Sequence, residues 1–229
     1  METGQGAETQ PSPIEGLPVE LVRMLLSHLP DVASLQAAAL SCPLFFYAFL
    51  KAEGTITTQV LLNHIDISVL PEAMIATESS LLRPHDPEPE GREAILEFVS
   101  RNLRQRPSLP RYWSLRNALD LSRLHFYVDW LAEQFSKQLL IKKPLSQTSS
   151  FPTRQERCRI ERAFYRFEIY CNLFRETPST KPILFCESPD VQSIVYSEQK
   201  TLFFANFSPW ENEQLGCIHD FLVRTVSPG

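Results

Sequence analysis

The sequence contains little glycine. Seven of the 229 residues are glycine against eighteen prolines, and Gly4, Gly6 and Gly229 lie at the two ends. Phosphate-binding loops and tight β-hairpins depend on glycine, because it adopts positive φ without a steric cost. The composition therefore argues against both kinds of structure, and the prolines are expected to separate helices.

Long apolar runs and paired cysteines are also missing. No stretch of about 18 apolar residues occurs, so no membrane-spanning helix is expected. Residues 1–13 are polar and acidic, unlike a signal peptide, and are expected to form a disordered tail. The cysteines are too widely spaced for a disulfide framework or a zinc cluster, so buried free thiols and a cytoplasmic or nuclear location are expected. They are Cys42, Cys158, Cys171, Cys186 and Cys217.

Motifs of catalysis and cofactor binding are absent too. The sequence has no G-x-S-x-G, P-loop or dinucleotide fingerprint. The histidines, of which His219 comes closest to a cysteine (Cys217), form no H-E-x-x-H pair and no zinc spacing. We therefore predict no catalytic residues, no metal site and no cofactor, and hence a protein that is not an enzyme.

Helical periodicity is what the sequence does contain. After Pro18, the side chains of Leu21, Leu25 and Leu29 recur at helical spacing, and Pro30 ends that helix. Asp31 or Ser34 is expected to cap a second helix, and Ser41 a third that contains LFFYAFL. This third segment is too apolar to remain in water, so we expect its phenylalanines to be buried against other helices or a partner. Further helices are predicted over residues 57–65 and 71–82.

The segment RPHDPEPEG at residues 83–91 predicts a linker between two parts of the chain. Beyond it, residues 92–229 are predicted to form an irregular helical domain, with helices over 92–104 and 113–141 and loops at 107–110, 143–152 and 176–190. Two capping boxes, Thr153 to Glu156 and Ser208 to Glu211, predict the starts of further helices. The fold class is therefore all-α.

Two arginine-dense segments, residues 101–116 and 154–166, suggest a basic groove for nucleic acid or an acidic partner. Because the net charge is -5, nucleic acid is the less favoured interpretation, and we predict that these arginines line the wet faces of helices. The tryptophans Trp113, Trp130 and Trp210 are predicted to be core or domain-interface anchors, with the alternative that one of them lines a recognition surface.

The N-terminal helices resemble the F-box, a compact three-helix motif. The matching residues are Leu17-Pro18-x-Glu20-Leu21, then Leu25-Leu26-Ser27-His28-Leu29-Pro30, and then Leu35, Leu40, Cys42 and Phe45. Ser41 stands where the family usually has valine, and Pro43 is unusual. The resemblance covers residues 15–50, and the remainder is similar to uncharacterised F-box-type proteins of filamentous fungi.

This resemblance implies a specific partner. F-box proteins bind a Skp-family adaptor, which links them to a cullin–RING ubiquitin ligase, and they recruit a target protein to it. The helices dock by apolar anchors in a groove of the partner. Carried over by position, the partner-binding residues are Leu17, Pro18, Leu21, Leu25, Leu29, Leu35 and Phe45.

Two alternatives remain open from the sequence. In the first alternative, these leucines fill the hydrophobic core of this chain and contact no partner. In the second, the same apolar helices form a scaffold that self-associates without any link to a ubiquitin ligase. Residues 92–229 are expected either to capture a target or to support the F-box-like part.

Overall fold

The computed structural model describes residues 16–82, 89–105, 112–141, 152–174 and 196–226. Within these ranges the chain forms ten α-helices, one π-helical segment and one 3₁₀ turn, and no strand. The all-α prediction is therefore confirmed. The chain divides into two compact units: the first unit is Met1–His64 with Arg111–Leu119, and the second unit is Ile65–Pro110 with Asp120–Gly229.

The first unit is built from four helices, which pack against one another. Asp31 caps α2, as predicted, since its side chain accepts a hydrogen bond of 2.7 Å from the Ser34 amide. Ser41 does not cap α3: it is the last residue of α2, its hydroxyl donates to the Ala38 carbonyl, and Cys42 takes the cap position. The helices are α1 (Val19–Ser27), α2 (Val32–Ser41), α3 (Pro43–Leu50) and α4 (Glu53–His64).

A segment distant in sequence completes the first unit. The side chain of Trp113 is buried, and its amide donates to the Thr58 hydroxyl over 3.2 Å. The Glu53 carboxylate accepts a hydrogen bond of 2.9 Å from the Leu115 amide. These contacts tie α4 to the start of α7 (Leu115–Ile141), because the first amides of a helix need acceptors outside it.

The second unit is organised around α8 (Arg154–Phe174), which packs against α5 (Leu70–Ser79) and α10 (Pro209–Val226). The aromatic rings of Phe135, Phe164 and Phe221 meet edge to face between α7, α8 and α10. The remaining elements of this unit are α6 (Pro89–Phe98), the π-helical segment Val99–Arg104, α9 (Tyr196–Leu202) and the 3₁₀ turn Phe204–Asn206.

Both predicted capping boxes are formed. The Thr153 amide donates to Glu156 over 2.8 Å, and the Glu156 amide donates back to the threonine hydroxyl over 3.3 Å. At the start of α10 the Ser208 amide donates to Glu211 over 2.9 Å, and the return bond is 3.4 Å. Local sequence therefore fixes the first turns of α8 and α10.

The division of the chain differs from the predicted linker at residues 83–91. Helix α6 already begins at Pro89, and the N-terminal segment of the first unit ends at His64. Helix α5 therefore belongs to the second unit, where it packs on α8. Residues 83–88, the predicted tail 1–13, the predicted loops at 107–110 and 176–190, and residues 143–151 of the predicted loop at 143–152 lie outside the described residues.

Two predictions about burial need correction. Cys158 is buried, whereas Cys217 is exposed on α10. Trp113 is a core residue as predicted, but Trp130 and Trp210 are exposed. A helix that packs on one side only leaves its large side chains on the other side in solvent.

None of the described helices combines the length and apolarity needed to cross a bilayer.

Candidate partner-binding surface

Helix α1 is apolar on two sides. Val22 and Leu26 are buried in the core of the first unit, whereas Leu21, Met24 and Leu25 are 42%, 51% and 51% exposed. At about 100° per residue these three side chains fall within an arc of roughly 100° on the outer side of the helix. An apolar outer side is unusual for a surface helix, which normally carries polar residues there.

Hydrogen bonds hold α1 at both ends. The Pro18 carbonyl accepts from the amides of Leu21 and Val22 at 3.0 and 3.2 Å. At the other end, the Asn63 side chain on α4 donates to the Ser27 carbonyl over 2.9 Å. The His28 ring lies 2.8 Å from the Met24 carbonyl through Nδ1. The outer side chains of α1 are therefore displayed by an anchored helix.

The seven predicted partner-binding residues separate into three groups. Pro18, Leu21 and Leu25 are exposed, and Leu17, Leu29 and Phe45 are half-buried. Leu35 is 0% exposed. Its side chain fills the core from α2, so it supports the surface and cannot contact a partner in this conformation.

Helix α3 adds further exposed apolar residues. Phe46, Tyr47 and Leu50 are exposed, and Ala48 and Phe49 are buried. Phe49 is buried within the chain, as one form of the prediction requires, whereas Phe46 and Leu50 are not, because an eight-residue helix on a small core buries only one side. Burial of Phe46 against a partner stays a prediction. Leu50 lies four residues after Phe46 and three after Tyr47, a spacing that places the three side chains on a shared side of the helix.

The exposed apolar residues of α2 and α3 lie in a segment without charge, whereas Glu20 and Arg23 lie among those of α1. Residues 32–50 contain no charged side chain, and the cores of protein interfaces are likewise depleted of charge. Exposed apolar groups of this kind are typical of interaction sites. We call them the outer apolar residues: Leu21, Met24, Leu25, Leu40, Phe46, Tyr47 and Leu50.

The second unit differs, since its interior contains ion pairs. The side chain of Arg166 is 4% exposed and bonds Glu72 on α5 at 2.7 Å and Glu211 on α10 at 2.8 Å. Its guanidinium lies 4.9 Å from the ring centroid of Phe207. The prediction that the arginines of α8 line a wet face is therefore wrong for Arg166, because it joins three elements inside the unit.

A second polar cluster lies between α7 and α8. Arg157 forms ion pairs with Asp129 and with Glu161. Burial raises the pKa of the Glu161 carboxyl, although the neighbouring Arg157 acts in the opposite direction. The Tyr165 hydroxyl is 2.8 Å from Nδ1 of His125. Burial, with a smaller effect of Glu161, raises the pKa of Tyr165, so this phenol stays protonated and acts in hydrogen bonding.

Further arginines of the predicted basic groove are also paired. Arg154 contacts Asp66 at 2.6 Å, and a hydrogen bond from the Ser68 amide lowers the pKa of Asp66 to about 2. Arg101 lies 3.5 Å from Glu78. Pairing of this kind reduces the positive field that nucleic acid would require.

Among the described residues no three His, Cys, Asp or Glu side chains come together as a possible metal site. In the comparisons with known proteins, the chain matches no family model, no curated protein and no solved structure at a significant level. The outer apolar residues, together with the F-box-like residues of α1 to α3, are therefore the features on which a function is proposed.

Proposed function

We propose that this chain is an F-box-type adaptor that binds a Skp-family protein through the first unit and recruits a target protein to a cullin–RING ubiquitin ligase. The observation that carries the proposal is the outer side of α1. Leu21 and Leu25 are exposed there, at positions where the resemblance expects contact with the adaptor. An all-polar outer side would have left the adaptor nothing apolar to bind.

The geometry suits recognition of a helix by an apolar groove. Such recognition uses anchors three, four and seven residues apart, and Leu21, Met24 and Leu25 follow the first two spacings, with His28 seven residues from Leu21. Removing half-exposed side chains from water contributes on the order of 1 kcal/mol each. The three residues of α1 alone therefore give only part of a stable interaction, and the exposed residues of α2 and α3 are the next candidates.

The role that follows from this proposal is to bring a target protein close to the ubiquitin ligase. An adaptor holds its target close to the ligase and so raises the effective concentration of the target without chemistry of its own. The polar clusters around Arg166 and Arg157 in the second unit fit a rigid support, because their charged groups are held in ion pairs.

Binding of the full chain to a purified Skp-family protein tests the proposal. The double variant Leu21→Asp with Leu25→Asp places two charges on the outer side of α1, and we expect at least a 100-fold loss of affinity, measured by isothermal titration calorimetry. Circular dichroism should show an unchanged fold, since neither side chain fills the core.

A matched control is the double variant Leu81→Asp with Val226→Asp. Both residues are exposed apolar side chains outside the first unit, and we expect wild-type affinity. Absence of binding by the wild-type chain, or equal binding by the Leu21 and Leu25 variant, overturns the proposal. The scaffold function is indicated instead if the wild-type chain does not bind the Skp-family protein but self-associates, and if the Leu21 and Leu25 variant loses this self-association.

A further inference from the structure

Helix α7 presents three large aromatic side chains to solvent in the second unit. Phe126, Tyr127 and Trp130 are 66%, 62% and 51% exposed. They occupy about one turn of the outer side of the helix, opposite the buried residues Leu121 and Val128. Aromatic residues are enriched where proteins bind one another. This cluster is more apolar than the solvent-exposed side of a surface helix usually is.

Charged pairs stand on both sides of this aromatic cluster. Asp120 and Arg123 precede it, with their charged atoms 3.8 Å apart, and Glu133 and Lys137 follow it at 2.7 Å. All four side chains are at least half exposed. Along the chain the outer side therefore carries an anion, a cation, the aromatic cluster, an anion and a cation.

This order of charges is complementary to itself when the helix is reversed. In an antiparallel pair with its two-fold axis between residues 128 and 129, Asp120 faces Lys137 of the second copy. Arg123 then lies beside Glu133 of the second copy, and Tyr127 faces Trp130. A parallel pair would place like charges opposite one another, which is unfavourable. Compared with an in-register parallel pair, the antiparallel arrangement pairs all four of these charges, and Asp129, which lies between Tyr127 and Trp130 in the sequence, is already paired with Arg157.

The spacing also suits two helices that pack along their length. Arg123, Trp130 and Lys137 are seven residues apart, and Tyr127 lies four residues after Arg123 and three before Trp130. Alternating steps of three and four residues keep one side of a helix facing its neighbour. The charged pairs and the aromatic cluster are thus in reach of a single partner helix.

We propose that a second copy of this chain packs antiparallel on α7, with Phe126, Tyr127 and Trp130 at the centre and the charged pairs at the two ends. The interface is isologous, so each copy uses the same surface. It lies entirely on residues of the second unit and does not depend on the adaptor function.

The available apolar area sets the strength of this dimer. Three aromatic side chains at these exposures offer roughly 350 Å² per copy, less than the about 800 Å² that each partner buries in a standard interface. We therefore expect a dimer with a Kd in the micromolar range, populated at high local concentration.

Sedimentation velocity of the full chain over a concentration series, from about 1 to 200 µM, tests the proposal. We expect a monomer–dimer equilibrium that Trp130→Ala weakens at least tenfold, because a central aromatic side chain is removed. Trp210→Ala is the matched control, since Trp210 is an exposed tryptophan on α10 and its replacement should leave the equilibrium unchanged.

Charge reversal tests the antiparallel arrangement. Arg123→Glu and Glu133→Arg should each weaken the homodimer, whereas an equimolar mixture of the two variants, or the double variant, should restore it. A wild-type chain that stays monomeric, dimerisation that survives Trp130→Ala, or single reversals without effect overturns the proposal. Loss of the dimer in the Leu21→Asp with Leu25→Asp variant also overturns it, because that result locates self-association on the first unit.

Discussion

The two units of this protein differ in the side chains that they bury. In the described residues of the first unit, Thr57 is the only buried polar side chain, and apolar residues remain exposed on α1 and α3. The second unit buries Glu161, Arg166 and His125 among its apolar residues. An apolar core needs only shape and volume, whereas buried ions need partners at fixed positions.

The difference has consequences for function. Besides its apolar core, the first unit exposes apolar side chains on α1 and α3. The ion pairs of the second unit instead tie α5, α8 and α10 to one register. The first unit is therefore suited to binding a partner, and the second to maintaining a defined arrangement of helices.

The largest expected effect concerns the buried arginine. Arg166→Met leaves Glu72 and Glu211 without their shared counter-ion, and we expect a loss of about 3–5 kcal/mol in the free energy of unfolding. Urea denaturation followed by far-ultraviolet circular dichroism measures it. The triple variant with Glu72→Gln and Glu211→Gln should recover part of this loss, and an equal loss in both variants would show that packing, not charge, determines the effect.

A smaller effect distinguishes the predicted site residues of the first unit. Leu35→Ala leaves a cavity in the core and should cost about 2–5 kcal/mol of unfolding free energy. Leu25→Ala should cost less than about 0.5 kcal/mol, while it weakens binding to the Skp-family protein. Fluorescence of Trp113, with Trp130 and Trp210 replaced by phenylalanine, reports the first unit. Equal destabilisation by both variants contradicts the assignment of Leu25 to the outer side.

The smallest effect compares one glycine from each unit. Nothing lies within 4 Å of a Cβ added at Gly216 in α10, so Gly216→Ala should stabilise by about 0.5–1 kcal/mol through helix propensity. A Cβ at Gly54 would lie 2.9 Å from the Tyr112 Cβ, and Gly54→Ala should destabilise by about 1 kcal/mol. Thermal unfolding measures both, and a stabilising Gly54→Ala would contradict the tight contact.

Local signals in the sequence predicted most of the helices. Asp31, the two capping boxes and the prolines at 18, 43 and 209 act on neighbouring amides, so their effects are visible without the fold. Burial was harder to predict. Leu35 and Leu25 are both leucines at helical spacing, and only the packing of α2 inside the first unit separates a core residue from an exposed one.

By itself the sequence determined the all-α class, the starts of α2, α8 and α10 and the F-box-like spacing of α1 to α3, because each depends on residues close together in the chain. The tertiary structure alone decided that residues 112–119 complete the first unit, that α5 belongs to the second, and that Arg166 is buried between Glu72 and Glu211. These arrangements join residues up to 94 positions apart. Contacts at such separations arise only when helices pack, and no local propensity records them.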